Sequence, residues 1–308
     1  MSATMMLMTF LKSRVWPALA VFAFVAAAVP ARAQITTNTA LPVGKGEAII
    51  RLQTKVLRST GDPMPTDRDL RVTAFPLVGV YGVSGKLALF GVLPILDKNL
   101  EVTMPTGRVT RNTTGVGDAR LFARYTLFQH NRRGLTVRLA PFAGIELPTG
   151  TNDARDAAGP LPRPLQLGSG SWDPFIGVVL TRQSFAWQVD VSASYKRNTE
   201  ADGFRFGDEA RLDVAAKVRV LPRKLGPGLP RFLYVALESN LIGLDRNEAG
   251  GADDPNSGGV TWYLAPGLQY ATRRFILGAA LQLPVLQDLN GAALENDAIL
   301  TLSIRFSL

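Results

Sequence analysis

The sequence predicts an all-β fold: one closed, antiparallel transmembrane β-barrel of about twelve strands, with about ten to fourteen admitted by the spacing, behind a cleavable export signal. Three observations carry this prediction. Apolar and polar residues alternate with period two in segment after segment. The connections between those segments are alternately long and short. After Gln34 no stretch is long or apolar enough to cross a membrane as a helix.

The first segment sets the compartment. Lys12 and Arg14 precede an apolar run from Val15 to Val29, which ends in Pro30-Ala31-Arg32-Ala33. A basic start, a short apolar middle and a small-x-small end form a secretory signal, cleaved after Ala33. The run is shorter than the ~20 residues a spanning helix needs. The domain reading is therefore signal peptide 1–33, a short lead-in 34–46, and a barrel 47–308. Losing Lys12, Arg14 and Arg32 lowers the formal charge from +9 to +6. Export and so small a surplus exclude a nucleic-acid partner. The chain has no cysteine, which excludes disulfides, thiol-ligated metals and a lipidated cysteine anchor.

The alternation comes next along the chain. Near the mature start Ala48, Ile50, Leu52, Thr54 and Val56 oppose Ile49, Arg51, Gln53, Lys55 and Leu57. From Asp118 to Phe128, Ala119, Leu121, Ala123, Tyr125 and Leu127 alternate with Asp118, Arg120, Phe122, Arg124 and Thr126. From Phe185 to Lys196, Trp187, Val189, Val191, Ala193 and Tyr195 alternate with Gln188, Asp190, Ser192, Ser194 and Lys196. Between Asp208 and Val220, Ala210, Leu212, Val214, Ala216 and Val218 alternate with Glu209, Arg211, Asp213, Ala215, Lys217 and Arg219. The final segment sets Ala298, Leu300, Leu302, Ile304 and Phe306 against Ile299, Thr301, Ser303 and Arg305. A helix turns 100° per residue and would scatter both sets around its circumference.

Strands are expected to begin near Glu47, Leu70, Lys86, Gly117, Leu135, Ser171, Phe185, Asp208, Arg231, Val260, Phe275 and Asp297. Long connections are expected at Ser59–Asp69, Asp97–Val116, Thr149–Gly170, Asn198–Gly207, Asp245–Gly258 and Asp288–Asn296, with short ones between them. Outer-membrane barrels show this rhythm, short turns on the periplasmic rim and long loops outside. Closure follows from solvation, because an open sheet edge in hydrocarbon leaves backbone groups unpaired at several kcal/mol each. Phe185, Trp187, Tyr195, Phe232, Tyr234, Trp262, Tyr270, Phe275 and Phe306 are assigned to interfacial girdles. Pro141, Pro174 and Pro266 are placed at strand ends, where a missing N–H is tolerated.

Several phrases resemble a known family. Gly115-Val116-Gly117-Asp118 opens one strand, Pro141-Phe142-Ala143-Gly144-Ile145-Glu146-Leu147-Pro148-Thr149-Gly150 closes the next, and Leu167-Gly168-Ser169-Gly170-Ser171-Trp172-Asp173-Pro174-Phe175-Ile176-Gly177 opens the one after. Their order and spacing resemble the outer-membrane transporter family of MetA-pathway phenol degradation proteins. The resemblance implies a barrel in the bacterial outer membrane that takes up small aromatic or hydrophobic compounds. The C-terminus departs from the usual aromatic end, with Phe306 two positions before Leu308.

The inward faces carry the chemistry. Arg51, Lys55, Arg120, Arg124, Arg138, Lys196, Arg211, Lys217, Arg219 and Arg305 are assigned to the lumen, with Asp118, Glu146, Asp173, Asp190, Glu209 and Asp213. A mid-plane Arg or Lys facing lipid costs ~2–4 kcal/mol, so these residues face water or protein. The expected function is a channel or facilitated transporter for small aromatic or anionic solutes through a polar, cation-biased lumen. The alternative is a non-transporting barrel that works through its outer loops as a receptor, adhesion or structural protein. No enzyme is expected. The one histidine, His130, lies in a short turn beside Asn131 and Arg132, where neither a histidine-based hydrolase nor a histidine metal site can form. Asp253-Asp254 and Asn152-Asp153 are read as solvated loop polarity rather than calcium ligands. No cofactor is expected. The expected partners are outer-membrane lipid and lipopolysaccharide, the barrel-assembly machinery and a small solute.

Overall fold

The computed structural model describes residues 35–105, 107–224 and 231–308. The signal peptide predicted over 1–33 lies outside the described residues. Twelve antiparallel strands form a closed barrel, each paired with its neighbours in sequence. They are β1 (Ala48–Ser59), β2 (Asp69–Gly82), β3 (Leu87–Met104), an interrupted β4 (Gly107–Val116, Ala119–Tyr125 and Phe128–Arg132), β5 (Leu135–Leu147) and β6 (Asp173–Ser184). The second half comprises β7 (Trp187–Lys196), β8 (Glu209–Leu221), β9 (Phe232–Leu244), β10 (Gly259–Ala271), β11 (Phe275–Leu289) and β12 (Ala298–Ser307). The ladder between β12 and β1 closes the cylinder from Ile49 opposite Ser307 to Arg58 opposite Ala298. Ala48 and Leu308 exchange both backbone hydrogen bonds, so the Leu308 end completes the seam.

The alternation sorts side chains between two solvents. Leu52, Leu121, Ile176 and Leu268 are 47%, 52%, 61% and 54% exposed, as apolar groups in contact with lipid must be. Their chain neighbours point inward, where Thr181, Gln188, Asp190, Glu238 and Asn240 are fully buried.

Three sequence expectations need correction. Asp97–Val116 is not a loop: β3 and β4 continue as a paired hairpin from Ile95 opposite Val116 to Met104 opposite Gly107, rising beyond the barrel. Pro141 and Pro266 are not at strand ends, although Pro174 is. Pro141 stands where β4 is interrupted between Tyr125 and Phe128, and Pro266 stands where the β10–β11 ladder skips from Leu264 to Gly267. In each case the ladder is already open where the proline lacks its N–H. Phe232 and Tyr234 are not in a girdle either, because both face inward, Phe232 beneath Arg219. Tyr234 is buried, stacked beside Phe232 with ring centroids 6.0 Å apart.

Candidate functional site

The barrel interior is the candidate site, and its two sides differ. On β2 to β6 the inward residues are largely apolar: Val78, Val80, Ala88, Phe90, Val92, Phe122, Ala140, Phe142, Phe175 and Val179. Phe90 stacks on Phe122 at 4.4 Å, and Phe122 meets Phe142 and Phe175 at 6.0 and 5.8 Å. Glycine makes this aromatic wall possible. A Cβ on Gly144 would lie 2.3 Å from the Phe122 Cβ, and one on Gly177 would lie 2.3 Å from the Phe142 ring. The opposite side, on β7 to β12 and β1, carries polar and charged groups. A polar, cation-biased lumen is expected from sequence, and the structure adds this apolar wall to it.

The predicted lumen residues fall on inward positions. Glu146 pairs with Arg120 from β4 and with Lys196 of β7 at 3.2 Å. Asp190 accepts from the Thr181 hydroxyl and, at 2.7 Å, from Gln188. Asp213 accepts from Arg211 at 3.2 Å and from Asn240 at 2.8 Å. Lys217 is 1% exposed and donates to Gln269 at 2.8 Å. Arg219 lies 5.8 Å from the Phe232 ring, and Arg138 donates to Gln129 at 2.7 Å. Arg51 stands directly opposite Arg305 across the seam, and Lys55 lines the same cavity. Asp118 and Asp173 also point inward, toward the long-loop mouth, and Glu209 sits beside Arg211.

Sequence reasoning missed the element that fills the centre. Residues 35–43, read as a lead-in, run inside the barrel as a strap. The Glu238 carboxylate on β9 accepts the backbone N–H of Ile35, Thr36 and Thr37 at 2.8, 2.8 and 2.9 Å, and the Thr36 hydroxyl at 2.5 Å. Ala40 N–H donates to the Thr181 hydroxyl at 2.7 Å. Arg124 donates to the carbonyls of Thr39 and, at 2.7 Å, Leu41. Ala40 packs on Ala140, Phe142 and Val179, while Val43 packs on Val78, Val80 and Ala88. Ile35 sits over Gly267 and Gly278, where any Cβ would approach it within 2.9 and 3.2 Å. On the short-turn side of the strap a cavity of about 790 Å³ remains.

Comparison with known proteins bears on this architecture. The profile of the family described as "Putative MetA-pathway of phenol degradation" matches residues 67–283. The chain belongs to that family. No curated protein sequence matches it. Among solved structures it is similar to an outer membrane channel from Pseudomonas putida F1, with TM-score 0.68 and 15% identity over 89% of this chain and 100% of that one. The beta domain of the Bordetella autotransporter BrkA follows at TM-score 0.44 and 12% identity, over 86% of this chain and 100% of that one. The first likeness confirms the fold, and the barrel with its apolar belt places this phenol-degradation family member in the bacterial outer membrane.

The family phrases converge at one place in the structure. Asp118, at the interruption of β4, accepts Gly150 N–H at 2.9 Å and Ser169 N–H and hydroxyl at 2.6 and 2.9 Å. Thr149 donates to the Gly117 carbonyl at 2.9 Å. Gly150 and Gly168 approach so closely that a Cβ on either would meet the other's backbone within 2.8 Å. The knot folds the 148–172 connection over the inner face of the raised hairpin, where Leu161 and Leu165 pack on Leu70 and Leu100. Lys98 donates to the Pro164 and Gln166 carbonyls at 3.0 and 2.5 Å, and Arg111 binds Asp156 at 2.7 and 2.8 Å. Gly117, Asp118, Thr149, Gly150, Gly168 and Ser169 of the family phrases are thus parts of one loop latch at the long-loop mouth.

Proposed function

We propose that this protein is a gated passage for small solutes across the outer membrane, its lumen held shut by the strap at 35–43. One observation carries the reading. The centre of the barrel is occupied by a separable segment rather than by wall side chains, and a cavity lined by both polar and apolar groups opens beside it. A barrel serving only as a structural cylinder has no use for a nine-residue insert tied to opposite walls by hydrogen bonds. Lipid contacts the apolar belt, and the residues facing the lumen set what crosses. The amphipathic interior, with arginines set beside phenylalanines as Arg124 is beside Phe90, favours small solutes that carry both characters. A passage rather than an enzyme is supported by the position of His130. It is exposed on the short-turn hairpin and hydrogen-bonded to Arg132 Nε at 2.9 Å.

The test is conductance and liposome flux of the purified mature chain beside a variant lacking residues 35–43. A passage predicts small or rare openings in the complete protein and large, steady ones in the shortened protein. Tight sealing of both would defeat it.

A further inference from the structure

We propose that the cavity on the short-turn side of the strap binds small amphipathic organic anions, molecules with one carboxylate on a compact apolar body such as an aromatic ring. The proposal deepens the passage reading and rests on it for its use in transport, although the binding itself does not require flux.

Charge is the first argument. Five arginines and one lysine line the cavity, against the Leu308 terminus at its rim and one acidic side chain, Glu47. That acid is already engaged with the Gly44 N–H at 3.0 Å. Arg51 stands directly opposite Arg305 on the neighbouring strand, a like-charged cross-strand pair that disfavours the empty state. Among the described residues neither Arg51 nor Lys55 has a hydrogen-bond or ion-pair partner. A guanidinium presents two parallel donors that match a carboxylate, so an anion entering here is recognised by geometry as well as charge.

The second argument is the wall beside those cations. Val78, directly opposite Arg51 on β2, continues into Val80, Phe90 and Val92 as an unbroken apolar surface lining the same cavity. Arg124 closes its far side, with the guanidinium 4.7 Å from the Phe90 ring. A hydrated inorganic anion leaves this surface wet, and a neutral hydrocarbon leaves the arginines unsatisfied. A molecule with both parts covers both. The volume, about 790 Å³, lies within the range of about 300–1,000 Å³ usual for small-molecule sites. The cavity also reaches the short-turn rim through Arg273, Ser307 and Leu308, so a ligand reaches it without crossing the strap.

The complete mature chain in lipid nanodiscs, titrated calorimetrically with benzoate, acetate, toluene and inorganic phosphate, tests this. Benzoate is expected to bind at least tenfold more tightly than acetate or toluene. The double variant Arg51→Gln, Lys55→Gln should weaken benzoate at least tenfold while leaving toluene within twofold. Acetate or phosphate binding as tightly as benzoate would show a mere anion sink, and toluene doing so a mere greasy surface; either overturns the proposal. Benzoate binding unchanged in the double variant does the same. The ligand series on the unaltered protein decides the matter even where the variant fails to assemble. Bilayer conductance is the separate arm. Selective benzoate binding in a sealed barrel removes the passage and keeps the site, whereas flux without selectivity removes the site alone.

Discussion

The two sides of the lumen are built by the same strand pattern under the same outer constraint, yet they differ in kind. β2 to β6 face inward largely with valine, alanine and phenylalanine, with Arg124, Glu146 and Thr181 set among them, whereas β7 to β12 and β1 present Asp190, Asp213, Lys217, Glu238, Asn240 and Arg305. Outside, both halves expose the same apolar belt. Lipid dictates one face of every strand, because a charge there costs ~2–4 kcal/mol. It leaves the other face to the contents of the barrel. The strap reads this difference along its length: its first three amides go to a carboxylate on the polar side, while Ala40 and Val43 lie on the apolar side. A segment held between unlike walls can be loosened from either.

The largest expected effect removes the link altogether. Deleting residues 35–43 should raise single-channel conductance several-fold without unfolding the barrel, since no wall strand loses a ladder partner. Loss of the heat-dependent gel shift of the folded barrel would show instead that the strap is a core element.

Glu238→Gln acts only on the polar anchor. A carboxylate accepting three N–H groups and a hydroxyl becomes an amide with one acceptor oxygen. Charge-assisted bonds contribute about 1.5–3 kcal/mol and neutral ones about 0.5–1.5, so a net loss of about 2 kcal/mol is expected. The open fraction of channel recordings should rise roughly thirtyfold. On the apolar anchor, Val43→Ala removes methyl groups from a packed cluster at about 1–2 kcal/mol, and a smaller rise in the same recordings should follow. Equal effects would mean that the two walls hold the strap alike.

Gly144→Val attacks the apolar wall itself. The new side chain meets the Leu121 carbonyl at 2.3 Å and the Phe122 Cβ at 2.3 Å, and backbone must shift. Overpacking of this kind costs about 1–3 kcal/mol, read as a lower temperature for loss of the gel shift. A comparable change at Gly79, where a Cβ meets nothing, should leave that temperature in place.

How legible this was follows from the same contrast. Strand starts and outward faces could be read because lipid imposes period two wherever hydrocarbon touches the wall. Thus β1, β8 and β12 begin at Ala48, Glu209 and Ala298, within a residue of expectation. The signal fails above the hydrocarbon. Lys98, Asn99, Glu101, Arg108, Arg111 and Asn112 are polar on both faces, so a paired hairpin looked like a loop. It fails again inside. Thr36-Thr37-Asn38-Thr39 carries neither charge nor period, and its partners Glu238 and Thr181 lie more than a hundred residues away in sequence. The family phrases were visible as glycine-rich strand ends, but that Asp118, Gly150 and Ser169 meet in one latch follows only from three-dimensional closure.

The smallest expected effect lies outside the lumen, where polar groups meet water rather than one another. In the β1–β2 loop Asp62 accepts from Arg68 at 2.6 and 2.9 Å and from two backbone N–H groups, and Arg68 reaches across to the Ala292 carbonyl at 2.7 Å. Arg68 holds the Asp62 carboxyl well below the usual carboxylate range. A depressed folded value means the pair contributes fully above the ordinary aspartate pKa of about 3.9, and its contribution is lost as pH falls through the folded value. Because Arg68 is partly exposed, the contribution is about 1 kcal/mol or less. Pepsin cleavage of this loop should therefore be flat between about pH 5 and 4, in the native chain, and faster at both pH values in Asp62→Asn. A native loop that opens at about pH 4 would show that this pair does not restrain it.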